Sequence, residues 1–152
     1  MRIIISFFVL ISAFLSFSQR VSFEDPDLTF SFKKPKSWQV IDTGYEVKVF
    51  PSVKDSSSTY LIITYFEDAQ PFGAFNIGQS AKTQELVKTL DFKIAKVSAK
   101  YSTQISEGLL KTNYRFYKLG QRFELRTSHL QMNNRKAARA LKRMIRSIRV
   151  VE

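Results

Sequence analysis

Apolar residues alternate with polar ones at Leu28, Phe30 and Phe32, with Thr29, Ser31 and Lys33 between them, the period-two pattern of a half-buried β-strand. Lys34-Pro35-Lys36-Ser37 breaks it. Two further strands, Trp38 to Ile41 and Tyr45 to Phe50, flank Asp42-Thr43-Gly44, whose glycine supplies the positive φ that a short hairpin loop needs. After the polar loop Asp55-Ser56-Ser57-Ser58, the run Thr59 to Phe66 is so continuously apolar that it predicts a central strand covered on both faces.

Glu67 to Gly78 contains Pro71, Gly73 and Gly78 and predicts an irregular connection. The period then changes. From about Gln79 to Leu90, Thr83, Leu86, Val87 and Leu90 share one face at ~100° per residue while Lys82, Glu85 and Lys88 lie elsewhere, which predicts a helix. Phe92 to Tyr101 alternates poorly, with Ile94 and Val97 out of phase, and predicts an edge or bulged strand. Leu110, Thr112, Tyr114 and Phe116 form one face of the next strand, and Phe123, Leu125 and Thr127 continue that face after a Lys118-Leu119-Gly120-Gln121 turn. Such a hairpin sets Arg115 opposite Glu124, a charge pair worth less than about 1 kcal/mol.

The last periodic segment is helical, from about Asn134 to Ile148, with Asn133 or Asn134 as its N-cap. Ala137, Ala138, Leu141, Met144, Ile145 and Ile148 cluster within about 120° of the helical wheel, and Arg135, Lys136, Arg139, Lys142, Arg143, Arg146 and Arg149 occupy the other side. No acid lies between Glu124 and Glu152. The elements add up to an α+β class, a mainly antiparallel sheet flanked by helices, without internal repeats.

The N-terminus stands apart from this pattern. Met1-Arg2 is followed by apolar residues and serines from Ile3 to Phe17, a stretch too short to span ~30 Å of bilayer, and Ser16 and Ser18 are the small residues of a Ser18/Gln19 cut. This predicts a signal peptide over residues 1–18 and a single globular domain over residues 19–152, exported to a periplasmic or extracellular space. No second apolar span follows, so no transmembrane segment is expected after cleavage. The cut lowers the formal net charge of +11 by one, through Arg2. That excess favours polyanionic or acidic partners, and export argues against nucleic acid among them. With no cysteine, neither disulfides nor a lipidated cysteine are available, and stability rests on a core drawn from 14 Phe, 6 Tyr and one Trp, although Phe7, Phe8, Phe14 and Phe17 leave with the signal.

Candidate chemistry is sparse. The single histidine, His129, continues the alternation of Phe123, Leu125 and Thr127 and so belongs to the packed end of a strand. With one His and no Cys, neither a Cys-His pair nor a Cys/His zinc site can form, and no G-x-S-x-G context surrounds any serine. Glu24-Asp25-Pro26-Asp27 is the only dense run of acids, yet it lacks the central Gly and closing Glu of a calcium loop. Gly73 and Gly78 lack the Gly-Lys-Ser/Thr of a phosphate loop. Phe72, Phe75, Tyr60 and Tyr65 belong to core packing before any apolar-ligand pocket. No metal, cofactor or catalytic residue is expected, and an enzyme is the lesser expectation.

The run Phe30-Ser31-Phe32-Lys33-Lys34-Pro35-Lys36-Ser37-Trp38 resembles the F-x-F/I-x-x-P-x-x-W opening of PsbP-like proteins, the family of the extrinsic photosystem II subunit and its bacterial periplasmic relatives. The Ser-rich loop before an apolar strand, Arg122-Phe123-Glu124-Leu125 on a late hairpin, and the ending Met144-Ile145-Arg146-Ser147-Ile148 are similar too. Leu28-Thr29 stand where the family usually has a Gly before the first Phe. The resemblance implies an α/β/α sandwich and an accessory or interaction module, and it carries over no catalytic residue.

Three functions are compatible with these residues. The first is an exported non-catalytic accessory module that docks on a protein or envelope component. The second is a binder of anionic membrane or lipopolysaccharide surface through Arg135, Lys136, Arg139, Lys142, Arg143 and Arg146. The third is a small hydrolase built around His129 or paired acids. Intact mass of the exported protein should show a chain beginning at Gln19, and a species retaining residues 1–18 would refute the cut.

Overall fold

In a computed structural model the chain is described over residues 18–44, 46–67, 88–132 and 135–152, with the side chains of residues 25, 66 and 67 left aside. Strand β1 (Ser18–Asp25) turns at Pro26-Asp27 into β2 (Leu28–Pro35), so the Glu24 to Asp27 acids form a hairpin tip and the Ser18/Gln19 bond opens a strand. Leu28, Phe30 and Phe32 are buried as the alternation predicts. Pro35 ends the strand, and the Trp38 N–H closes the turn on the Pro35 carbonyl at 3.1 Å.

Lys34 falls on the same inward period and is buried. Its ammonium donates to the carbonyls of Trp38 at 2.6 Å, Pro35 at 3.3 Å and Lys36 at 3.4 Å. A cation is tolerable there because the turn points its oxygens inward. The same turn seats Trp38 in the core at 8 % exposure.

The larger sheet begins with β3 (Gln39–Asp42) and β4 (Val47–Phe50). Between them the Asp42 carboxylate accepts the Gly44 N–H at 2.8 Å, and Gly44 takes φ +81° as expected. Strand β5 (Tyr60–Glu67) follows, then β6 (Lys88–Thr89), β7 (Lys100–Ser106), β8 (Leu109–Lys118) and β9 (Gln121–Leu130). Helix α1 (Arg135–Arg146) leads into β10 (Arg149–Val151). One antiparallel sheet has the order β3-β4-β5-β9-β8-β7-β6, and a smaller one the order β1-β2-β10. The class is α+β, dominated by antiparallel sheet, with one helix among the described residues.

The two sheets share a chain of aromatic rings. Phe116 stacks on Phe123 at 4.9 Å, Tyr65 lies 5.7 Å from Phe123 and edge-on to Phe30 at 5.7 Å, and Phe23 stacks on Phe30 at 4.8 Å. Helix α1 closes this core with Ala137, Leu141, Met144 and Ile145, and Ile148 follows just beyond it.

Several expectations change. Strand β5 is central, between β4 and β9, but only Leu61, Ile63 and Thr64 are buried while Tyr60 and Ile62 stay half-buried. The helix expected from Gln79 to Leu90 lies outside the described residues up to 87, and its final turn is instead β6, paired with Tyr101 and Lys100 of β7. Edge pairing has overridden helical spacing there. The strand expected from Phe92 to Tyr101 starts only at Lys100, because Ile94 and Val97 are the two ends of a tight turn, exchanging N–H···O bonds of 3.0 and 2.9 Å. The last helix stops at Arg146 rather than Ile148, which places Arg149 in β10. Asn133 and Asn134, the expected caps, lie outside the described residues. The Leu119-Gly120 turn sets Arg115 opposite Glu124 at 3.3 Å, as the hairpin register requires.

Trp38→Ala should cost about 3–5 kcal/mol, read by urea unfolding, because it removes a buried aromatic from a closed core. Burial lowers the pKa of Lys34 below its usual 10.5. The unfolded chain then holds that proton to higher pH than the folded one, so this group's contribution to stability rises with pH between the folded value and 10.5. Lys34→Met should abolish that rise and, by leaving three carbonyls without their donor, lower stability by about 1–3 kcal/mol.

Candidate functional site

Helix α1 separates its two faces cleanly. Arg135, Lys136, Arg139, Lys142, Arg143 and Arg146 are all exposed, opposite the buried stripe. Twelve residues span about 18 Å, and no acid stands in the first turn. Arg143 and Arg146 complement the negative end of the helix dipole, whereas Arg135 and Lys136 sit at its positive end, where cations are unfavourable. Helix stability therefore does not account for the whole basic face.

The sequence-identified cations divide between three surroundings. Lys142 and Arg146 lie over the ring of Phe92, at 5.8 and 4.6 Å, which ties the helix to the loop before β7. Lys136 borders a recess of about 500 Å³ with Trp38, Pro51, Leu130 and Ala140. Arg146, at the far end, borders a groove of about 590 Å³ that also takes in Arg149.

Four other cations line that groove, Arg20 from β1, Lys33 from β2, and Lys93 and Lys96 from the loop after β6, and no carboxylate among the described residues lines it. Sequence reasoning missed all four. Only the outward position of Lys33 was legible, since Arg20, Lys93 and Lys96 belong to segments whose proximity is tertiary. Ser147 holds the groove wall together: its hydroxyl accepts the Lys33 N–H at 2.7 Å and donates to the Met144 carbonyl at 2.7 Å. The side chain thereby extends the β10–β2 pairing by one hydrogen bond beyond Arg149 and Ser31.

Carboxylates are engaged elsewhere. Glu46 meets Arg126 at 3.1 Å, and Glu124 meets Arg115 at 3.3 Å and Arg122 at 3.7 Å on the outer face of the large sheet. His129 donates its Nδ1–H to the Leu130 carbonyl at 2.9 Å. Ser128, beside it in sequence, points to the opposite face of β9 with its hydroxyl buried, so the two make no nucleophile-base pair. Burial, with the Tyr101 phenol second, raises the Tyr114 pKa and keeps that phenol protonated. No cluster of three or more His, Cys, Asp or Glu that could hold a metal occurs among the described residues. Tyr65 packs in the core and Tyr60 lies under the Lys48 ammonium at 5.4 Å, while Phe72 and Phe75 lie outside the described residues.

No model of a known protein family and no curated protein matches this chain. Among solved structures, the chain is similar to LpqN, involved in cell envelope biogenesis of Mycobacterium tuberculosis, at 11% identity and a TM-score of 0.50. The match covers 89% of this chain and 92% of that one, and it shows a shared fold. No helix among the described residues is long and apolar enough to cross a membrane.

Ser147→Ala should cost about 1 kcal/mol and speed hydrogen exchange at the Lys33 amide, whose bond it removes. Unchanged protection at Lys33 would show that the serine does not hold the helix end to β2.

Proposed function

We infer that this chain is an exported, non-catalytic accessory module of the cell envelope, processed after Ser18, that docks on an acidic partner through the outer face of α1. The observation that carries this is the row of six exposed cations, Arg135 to Arg146, on a helix without an acid and with two cations at the disfavoured end of its dipole. The likeness in fold to a protein of cell envelope biogenesis supports an envelope setting. The antiparallel α+β core, opening on Phe30 to Trp38 and closing on a helix, supports membership of the PsbP-like family and its sandwich.

The acidic partner is a protein or an anionic lipid surface, lipopolysaccharide included, and vesicles separate the two. Near a charged membrane each cation contributes up to about 1 kcal/mol. Arg139→Glu with Arg143→Glu should leave folding within about 0.5 kcal/mol of wild type, because both side chains are exposed. Binding to anionic vesicles should fall sharply in the double variant, and wild-type binding should weaken as salt shortens the ~10 Å screening length of 0.1 M. Binding of an acidic protein with no affinity for vesicles would identify the partner as protein. Indifference to both the substitutions and salt would leave the helix face as solubilising surface.

A further inference from the structure

The groove beyond the C-terminal end of α1 gathers positive charge from five separate parts of the chain, β1, β2, the loop after β6, α1 and β10. Arg20 and Lys33 stand directly opposite one another in the β1–β2 register. Like charges so placed repel and weaken a sheet. The Arg20 guanidinium reaches diagonally across to the Ser31 hydroxyl at 2.9 Å, and Ser31 is in turn the register partner of Arg149 on β10. Arg20, Lys33 and Arg149 thus converge on one patch of the small sheet, with Arg146 above it from the helix.

The fourth wall is a tight turn. Among the described residues three two-residue turns have both central residues at positive φ, and in two of them, Glu107-Gly108 and Leu119-Gly120, the second residue is glycine. In the third, Ala95 (φ 50°) and Lys96 (φ 68°) adopt the left-handed conformation without one. That conformation is unfavourable for residues with a Cβ, and a glycine would relieve it. The strained position carries a lysine that lines the groove.

We propose that this groove is a binding site for an anion carrying two or more phosphoryl groups, either free or as the headgroup of a lipid. Six cations with no described acid among them favour a polyanion, and linked phosphoryl groups place more negative charge in a given volume than carboxylates do. The volume of about 590 Å³ lies in the range of small-molecule sites and exceeds what one orthophosphate fills. Three arginines supply planar forks that bind phosphoryl oxygens in pairs, and three lysines supply compact charges around them. Ser147 fixes the Lys33 backbone, so two walls of the site are held before a ligand arrives.

The site differs from the docking face of α1, with which it shares only Arg146, and it stands without that reading. Its test is calorimetric titration of the full chain with tripolyphosphate and with orthophosphate, and sedimentation with phosphatidylcholine vesicles containing cardiolipin, which bears two phosphates per headgroup. Tripolyphosphate should bind more tightly than orthophosphate, or cardiolipin vesicles should bind where neutral ones do not, the first outcome marking a soluble ligand and the second a headgroup. Arg20→Gln with Lys33→Gln should weaken that binding by about tenfold or more. Lys54→Gln with Lys118→Gln, which removes the same charge away from the groove, should leave it unchanged. Lys96→Gly should weaken binding while melting no lower than wild type, an opposition that a purely structural lysine would not produce. Absence of binding to both probes at low salt overturns the site. So does an equal loss in the Lys54/Lys118 variant, or a loss confined to Arg139→Glu with Arg143→Glu, which would move the anion onto the helix.

Discussion

The structure depends on the apolar face of β2. Leu28, Phe30 and Phe32 are each 2 % exposed or less, and through Phe30 they meet Tyr65 and, beyond it, Phe123 and Phe116 of the larger sheet. Strand β2 is also the middle of the small sheet, with β1 on one edge and β10 on the other, and α1 packs on it more than on β9. In a chain without cysteine, this aromatic contact between sheets is what replaces covalent cross-links. A large flat ring buries more area per side chain than any aliphatic residue, which is why one strand can hold so many neighbours.

The same strand disposes of polar groups that follow from its position. Its inward period continues one residue too far, onto Lys34, and the following turn answers by aiming three carbonyls at the ammonium. At the outward period, Lys33 faces solvent and its backbone N–H is taken by Ser147, which anchors the end of α1. Burying the apolar stripe of that helix against β2 leaves no choice about where its arginines go.

Charge is consequently segregated. The carboxylates of Glu46 and Glu124 meet arginines on the large sheet, while the cations of β1, β2, the turn at Ala95-Lys96, α1 and β10 have no acid among the described residues lining the groove they share. Electrostatic energy disfavours such a groove in isolation, since each cation there adds to a potential that the protein does not neutralise. An anion bound in the groove would relieve that potential.

Elements with strong local periodicity were legible in the residues alone. The alternation of β2, the Asp42-Thr43-Gly44 loop, the β8–β9 hairpin with its Arg115–Glu124 pair, and the two faces of α1 all follow from side-chain spacing, because burial of one face is a local constraint repeated along the segment. Where edges and turns decide, the chain is ambiguous. Lys88–Thr89 carries helical spacing but pairs with β7, Ile94 and Val97 look like a bulge but close a turn, and β10 is too short to show any period. The basic face of α1 could be read from one stretch of fifteen residues or so, since helical geometry alone sets it. The groove could not, because Arg20, Lys33, Lys96 and Arg149 meet only when β1 and β10 pair with β2 and the helix end is tied down, and those contacts are long-range.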